Sequence, residues 1–208
     1  MPPLRTTFSK SAFPFQTLLL ALLFCGIFFA QVRAADPISF VYRYGLLPAS
    51  VSVKNFPSLY PFLSAPFLQA NWLQLGANVA ALCLFGASIE RRFKRWYLPF
   101  LLLGGMVAVF AQYWIDTGTD LPVLGASGMV AAALGVYFML VPRATGRVLA
   151  DLPARILLAL WFLIQLFDGV SSVGAPLASA GIAYVAHVAG FLFGVFIASM
   201  VSPIAERA

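Results

Sequence analysis

His187 is the single histidine of the chain, within Ala186-His187-Val188-Ala189-Gly190 inside an apolar run. Ionisable side chains in such runs are expensive to place in hydrocarbon and mark function by default. Ser127 opens another apolar run, in Gly125-Ala126-Ser127-Gly128. A serine hydroxyl becomes a working nucleophile when a base at ~2.6–3.2 Å takes its proton. Both residues fall toward the same end of their runs, so acyl transfer by a serine–histidine pair is open to them. Each also has a plain structural reading. A neutral histidine can bond a carbonyl across helices, and small residues around a serine let helices approach closely. Gln74 and Asn78 are four apart and share a helix face. Their amide donors, with the Ser127 backbone N–H, could receive an oxyanion. Interhelical bonding explains the same spacing equally well. Asp116, Asp120 and Asp168 fall at the edges of apolar runs, where solvated charge is the expected state. The chemistry, if present, is that of a Ser–His dyad rather than a triad.

The elements that would position these residues are hydrophobic helices. Of 208 residues, 62% are hydrophobic and 10% charged, too little polar surface for a soluble core of this size. Mean hydropathy is +0.92. Six apolar segments stand out, at about 16–32, 71–87, 96–115, 126–141, 154–170 and 181–201. They are long enough to cross ~30 Å of hydrocarbon at ~1.5 Å per residue, the fourth and fifth being short. They are too continuous for barrel strands and are expected to be helices. Residues 1–208 are read as a single all-α membrane domain of six spans, with a long outer loop between spans one and two.

Charge orients this arrangement. Arg5, Lys10, Arg91, Arg92, Lys94, Arg95, Arg143, Arg147, Arg155 and Arg207 fall on one side of an alternating six-span topology, as do Glu90 and Asp151. Arg33, Arg43 and Lys54 fall on the other. The positive-inside rule then makes both termini cytoplasmic. The net charge of +6 needs no nucleic acid, because the basic residues serve as orientation anchors and lipid-headgroup partners. Residues 1–35 also fit a secretory signal, with a small-residue site before Ala35; a retained first span is the preferred reading. The connection Pro37–Leu68 is rich in proline and aromatic residues, as befits a partly submerged loop rather than a flexible linker. Cys25 and Cys83 lie in apolar runs and are expected to be small buried hydrophobes without a disulfide framework.

Three motifs on three segments resemble the rhomboid family of intramembrane serine proteases. They are Gly125-Ala126-Ser127-Gly128 with the helix ending at Val141-Pro142-Arg143-Ala144, then Ala186-His187-Val188-Ala189-Gly190, and the stretch from Phe67 through Gln69, Asn71, Gln74 and Asn78 to Phe85-Gly86 and Glu90. The resemblance covers roughly residues 60–200. It implies a protease of the bacterial inner membrane that cleaves single-span membrane proteins near the outer face, without metal or cofactor. Ser127 would be the nucleophile and His187 the general base. Asn78, Gln74 and the Ser127 N–H would form the oxyanion hole. Gly125, Gly128 and Gly190 would allow close helix packing near the site. Substrate entry would pass a gate at the fifth span, near Trp161, Phe162 and Phe167.

The chain departs from the family at three positions. Gln69 and Gln74 stand where relatives commonly have histidine, and Ala131 where many have an aromatic packed on the catalytic histidine. A working but altered oxyanion hole is expected, and the support of His187 is left open. The alternative is a catalytically weak or inactive rhomboid-like protein that binds or escorts membrane helices.

Overall fold

A computed structural model describes residues 13–52, 54, 56–145, 152–172 and 183–205. Arg5, Lys10, Arg147, Asp151 and Arg207 lie outside these residues, as do the first two residues of the sixth predicted segment. The side chains of Arg143, Phe167 and Asp168 likewise lie outside what is described. The described residues are helical apart from short connections and one antiparallel bridge between Leu46 and Val123.

The long apolar helices are α1 (Phe15–Arg33), α6 (Tyr97–Ile115), α7 (Ser127–Thr145), α8 (Leu152–Ser172) and α9 (Tyr184–Ala205). Between α1 and α6 come α2 (Pro37–Tyr44), α3 (Pro61–Ser64), α4 (Trp72–Ala81) and α5 (Ala87–Phe93). A π-helical turn, Leu82–Gly86, joins α4 to α5. Among the described residues, three helical runs are long and apolar enough to cross a membrane: Phe15–Arg33, Trp72–Ile115 and Tyr184–Val201. The 44-residue run is two arms folded back on each other. Lys94 breaks it with φ of +52°, and a Cβ on Gly86 would lie 2.5 Å from the Tyr97 hydroxyl. Eleven residues on a straight helix would instead separate them by about 16 Å. The fourth and fifth segments are longer than expected: α7 continues through Pro142 to Thr145, and α8 spans 21 residues.

Glu90 does more than anchor a charged turn. Its carboxylate accepts the Gln16 and Thr17 backbone N–H groups at 2.9 Å each and the Thr17 hydroxyl at 2.7 Å. These amides belong to the first turn of α1, which has no intrahelical acceptor for them. A buried anion at that positive helix end satisfies several donors at once. At the other end of α1, Gln31 Nε2 donates to the Gln69 carbonyl at 2.8 Å. Leu20, Ala21, Phe24 and Phe28 bury the helix between these two fastenings.

The connection after α1 is folded. Asp36 caps α2 by accepting from Ile38 and Ser39 N–H. Leu46, Ala65, Val109 and Val123 form a small separate core. The chain then pins the segment ahead of Ser127, because Gly125 N–H donates to the Ala65 carbonyl at 3.0 Å.

The central contact is α7 against α9. A Cβ on Gly190 would meet the Gly128 carbonyl oxygen at 2.2 Å, and one on Gly194 would meet that of Ala132 at 2.0 Å. Gly135 faces the Phe191 carbonyl in the same way. With no side chain between them, the two backbones touch, as small residues permit. Cys25 and Cys83 are free thiols on exposed helix faces, not buried ones. They join Leu22, Leu84 and other large apolar residues on the outside of the bundle, the surface a bilayer would cover.

Candidate active site

Ser127 is the first residue of α7 and His187 the fourth of α9, so both occupy first turns. The contact of Gly128 with Gly190 lies one residue and three residues beyond them, and fixes how closely the two turns approach. The result is a hydrogen bond of 2.6 Å between Ser127 Oγ and His187 Nε2. His187 is buried and Ser127 partly so.

The approach to Ser127 needs an unusual backbone. Gly125 has φ of +132°, a region that disfavours residues with a Cβ. A Cβ there would lie 3.0 Å from Gln74 Nε2 and 3.4 Å from Ser127 Oγ. Gly125 is therefore a loop residue that lets the Gln74 amide and the Ser127 hydroxyl face one small space. It is not the helix-packing residue expected from the sequence; Gly128 and Gly190 are.

Gln74 is held in that pose. Its Oε1 accepts the Ala70 N–H at 2.6 Å, while its own N–H donates to Asn71 Oδ1 at 2.9 Å. With the carbonyl end anchored, the NH₂ end is turned toward Gly125. Asn78 is arranged differently. It is buried, and its Nδ2 donates to Gln69 Oε1 at 2.8 Å, which commits one of its two amide hydrogens there. Gln69 is fully buried and ties α1 to the start of α4.

Two amides outside the sequence-derived site sit against it. Gln112 on α6 accepts the Ala186 N–H at 3.1 Å and donates to Asp116 Oδ2 at 2.7 Å. It caps the first turn of α9 immediately before His187. Asp116 is thus engaged rather than merely solvated. Gln165 on α8 is buried and its Oε1 contacts His187 Nδ1. Each is a lone glutamine in an apolar helix, and that isolation was the available signal.

Ala131 is fully buried, 3.4 Å from where a Cβ on Gly190 would stand. The aromatic neighbours of His187 come from elsewhere. The Trp161 ring on α8 lies 6.0 Å away at 34°, and Tyr184 lies 6.4 Å away edge-on. Phe162 stacks on Phe191 at 4.6 Å.

The Rhomboid domain family matches residues 57–204, a stretch that contains both site helices and the second-segment amides. The chain belongs to the rhomboid family. It is also similar to Rhomboid-like protein 11, chloroplastic, of Arabidopsis thaliana, at 26% identity over 159 residues. That match covers 71% of this chain and 54% of the relative, so the chain spans about half the length of the curated relative it matches. The all-α membrane bundle expected of a rhomboid is the fold observed.

Proposed function

We propose that this rhomboid-family chain is an intramembrane serine endopeptidase, with Ser127 as nucleophile and His187 as general base. The supporting observation is the 2.6 Å bond between Ser127 Oγ and His187 Nε2 inside an apolar bundle. In the proposed reaction Oγ attacks the scissile carbonyl carbon while its proton passes to Nε2. The carbonyl oxygen becomes an oxyanion beside the Ser127 N–H and Gln74 Nε2, donors fixed before the reaction begins. The leaving amine takes the proton from Nε2, and water then repeats the sequence on the acyl-enzyme. Asn78 contributes its remaining amide hydrogen or braces Gln69.

The substrates are single-span membrane proteins whose helices unwind at the outer side of the bundle. They enter past α8, where Trp161 and Phe162 form the closure. The first span is retained, six spans cross a bacterial inner membrane, and both termini are cytoplasmic. Reconstitution in liposomes with a panel of single-span substrates tests this reading. The wild type is expected to cleave at least one of them and to be labelled by a fluorophosphonate probe, and Ser127→Ala to do neither.

A second reading is a rhomboid-like protein that holds membrane helices without cutting them. The commitment of Asn78 to Gln69, with Gln74 in place of a histidine, favours it. Stable capture of a substrate helix by an unlabelled wild type would establish that reading instead.

A further inference from the structure

On α8, Leu158, Trp161, Phe162 and Gln165 face the rest of the bundle, continuing a side that begins with Ala154. Their spacing of three, four and seven is a single helical stripe. Ile156, Leu157, Leu160, Leu163 and Ile164 on the other faces are exposed. The helix is peripheral and docks chiefly on α9. The other residues named in this stripe are apolar, so a glutamine in it needs a partner, and its partner is His187 Nδ1.

An amide oxygen can only accept, so Nδ1 must carry the proton when Gln165 Oε1 faces it. The second nitrogen, Nε2, is then a lone pair aimed at Ser127 Oγ. That is the tautomer a general base requires. The Trp161 ring lies beside the same imidazole, 6.0 Å away and tilted by 34°. Ala131, on the serine helix, presents no ring there.

We infer that Gln165 is the positioning residue of the base, a neutral third member of a Ser127–His187–Gln165 chain. The inference rests on the protease reading for its catalytic meaning. It also places the control of the base on α8, so that His187 is correctly set only while α8 is docked.

His187 is the only histidine, so imidazole ¹⁵N spectra of the full chain in detergent micelles contain one side-chain pair and report its tautomer directly. The wild type should show the Nδ1–H form. Gln165→Met keeps length and apolarity but removes the acceptor, and should give a mixture of tautomers. Its kcat should fall about ten- to hundredfold with little change in KM, the scale of a misaligned reacting group. Gln165→Glu returns an acceptor oxygen and should recover the Nδ1–H form and most of the lost kcat. A wild type in the Nε2–H form overturns the inference, without recourse to any variant. So does a Gln165→Met protein with unchanged tautomer and kcat. If no substrate is cleaved yet the tautomer follows Gln165 as described, the protease reading fails and the positioning role stands.

Discussion

Ser127 and His187 meet because each opens a helix at the same end of the bundle. A rotation of either first turn would separate them. Ser127→Ala and His187→Ala should each abolish cleavage of a model membrane substrate, measured by gel shift of the product. Gln74 is the more informative position. Its carbonyl end is clamped by Ala70 N–H, so the NH₂ group is held toward Gly125 without the positive charge a histidine could offer. Loss of one oxyanion donor elsewhere costs roughly 10²–10³ in rate. Gln74→Ala should therefore lower kcat by about two orders of magnitude while the thermal midpoint stays within a few degrees. An unchanged kcat would remove Gln74 from the site. Gln74 could be singled out in the sequence because it shares a face with Asn78, although the two amides turn to different partners, Gly125 and Gln69. Gln165 was not, because nothing along α8 marks which distant side chain its amide will meet.

At the scale of the element, the α7–α9 contact depends on missing side chains. A methyl group on Gly190 would sit 2.2 Å from the Gly128 carbonyl, so Gly190→Ala must push the helices apart. Overpacking of this kind costs typically about 1–3 kcal/mol. Because His187 is three residues away on the same helix, activity should fall by about 10²-fold and the melting temperature should drop with it. Glu90 gives a contrasting case. It fastens α1 far along the bundle from the dyad, through two backbone amides and the Thr17 hydroxyl. Glu90→Ala leaves the Gln16 and Thr17 backbone amides without an acceptor, while the Thr17 hydroxyl keeps Tyr97, at about 1–3 kcal/mol. It should lower the melting temperature, yet the surviving folded fraction should label with fluorophosphonate at the wild-type rate. On α2, hydrogen bonds from the Ser39 side chain and backbone hold the Asp36 carboxyl below its usual range, with Ile38 N–H adding to them. The cap is therefore present above the ordinary carboxylate value and is lost as pH falls through the lowered one. Amide protection at Ile38 and Ser39, relative to the unstructured rate at the same pH, should fall only in that acid range.

For the whole molecule, thirteen basic residues divide ten to three between the two ends of the proposed six-span topology. With Cys25 and Cys83 replaced by serine, a membrane-impermeant thiol reagent applied outside intact cells should label Lys54→Cys and spare Arg95→Cys. The opposite pattern would invert the proposed orientation. The packing of α1 bears on its retention. Glu90 and Gln69 fasten its two ends, and Phe24 and Phe28 are almost fully buried. Mature protein beginning at Ala35 would lack all of these contacts, and N-terminal sequencing of membrane-extracted protein distinguishes the two.

Composition and hydrophobic run length were sufficient to establish an all-α membrane bundle, since a bilayer leaves few ways to satisfy the backbone. Rarity of type was sufficient to single out His187, and the small residues around Ser127 made a close approach possible. Those signals are local, and they survive in a one-dimensional reading. What only the tertiary structure decided is which polar groups meet: Gln74 turned to Gly125, Asn78 bonded to Gln69, Gln112 capping α9, and Gln165 on His187. Hydrogen bonds between helices depend on rotation and depth, to within a fraction of an ångström, and sequence spacing carries neither. Ala131 left the His187 imidazole without a visible aromatic neighbour in the sequence, and its neighbours come from α8, which presents Trp161 and Gln165 to it.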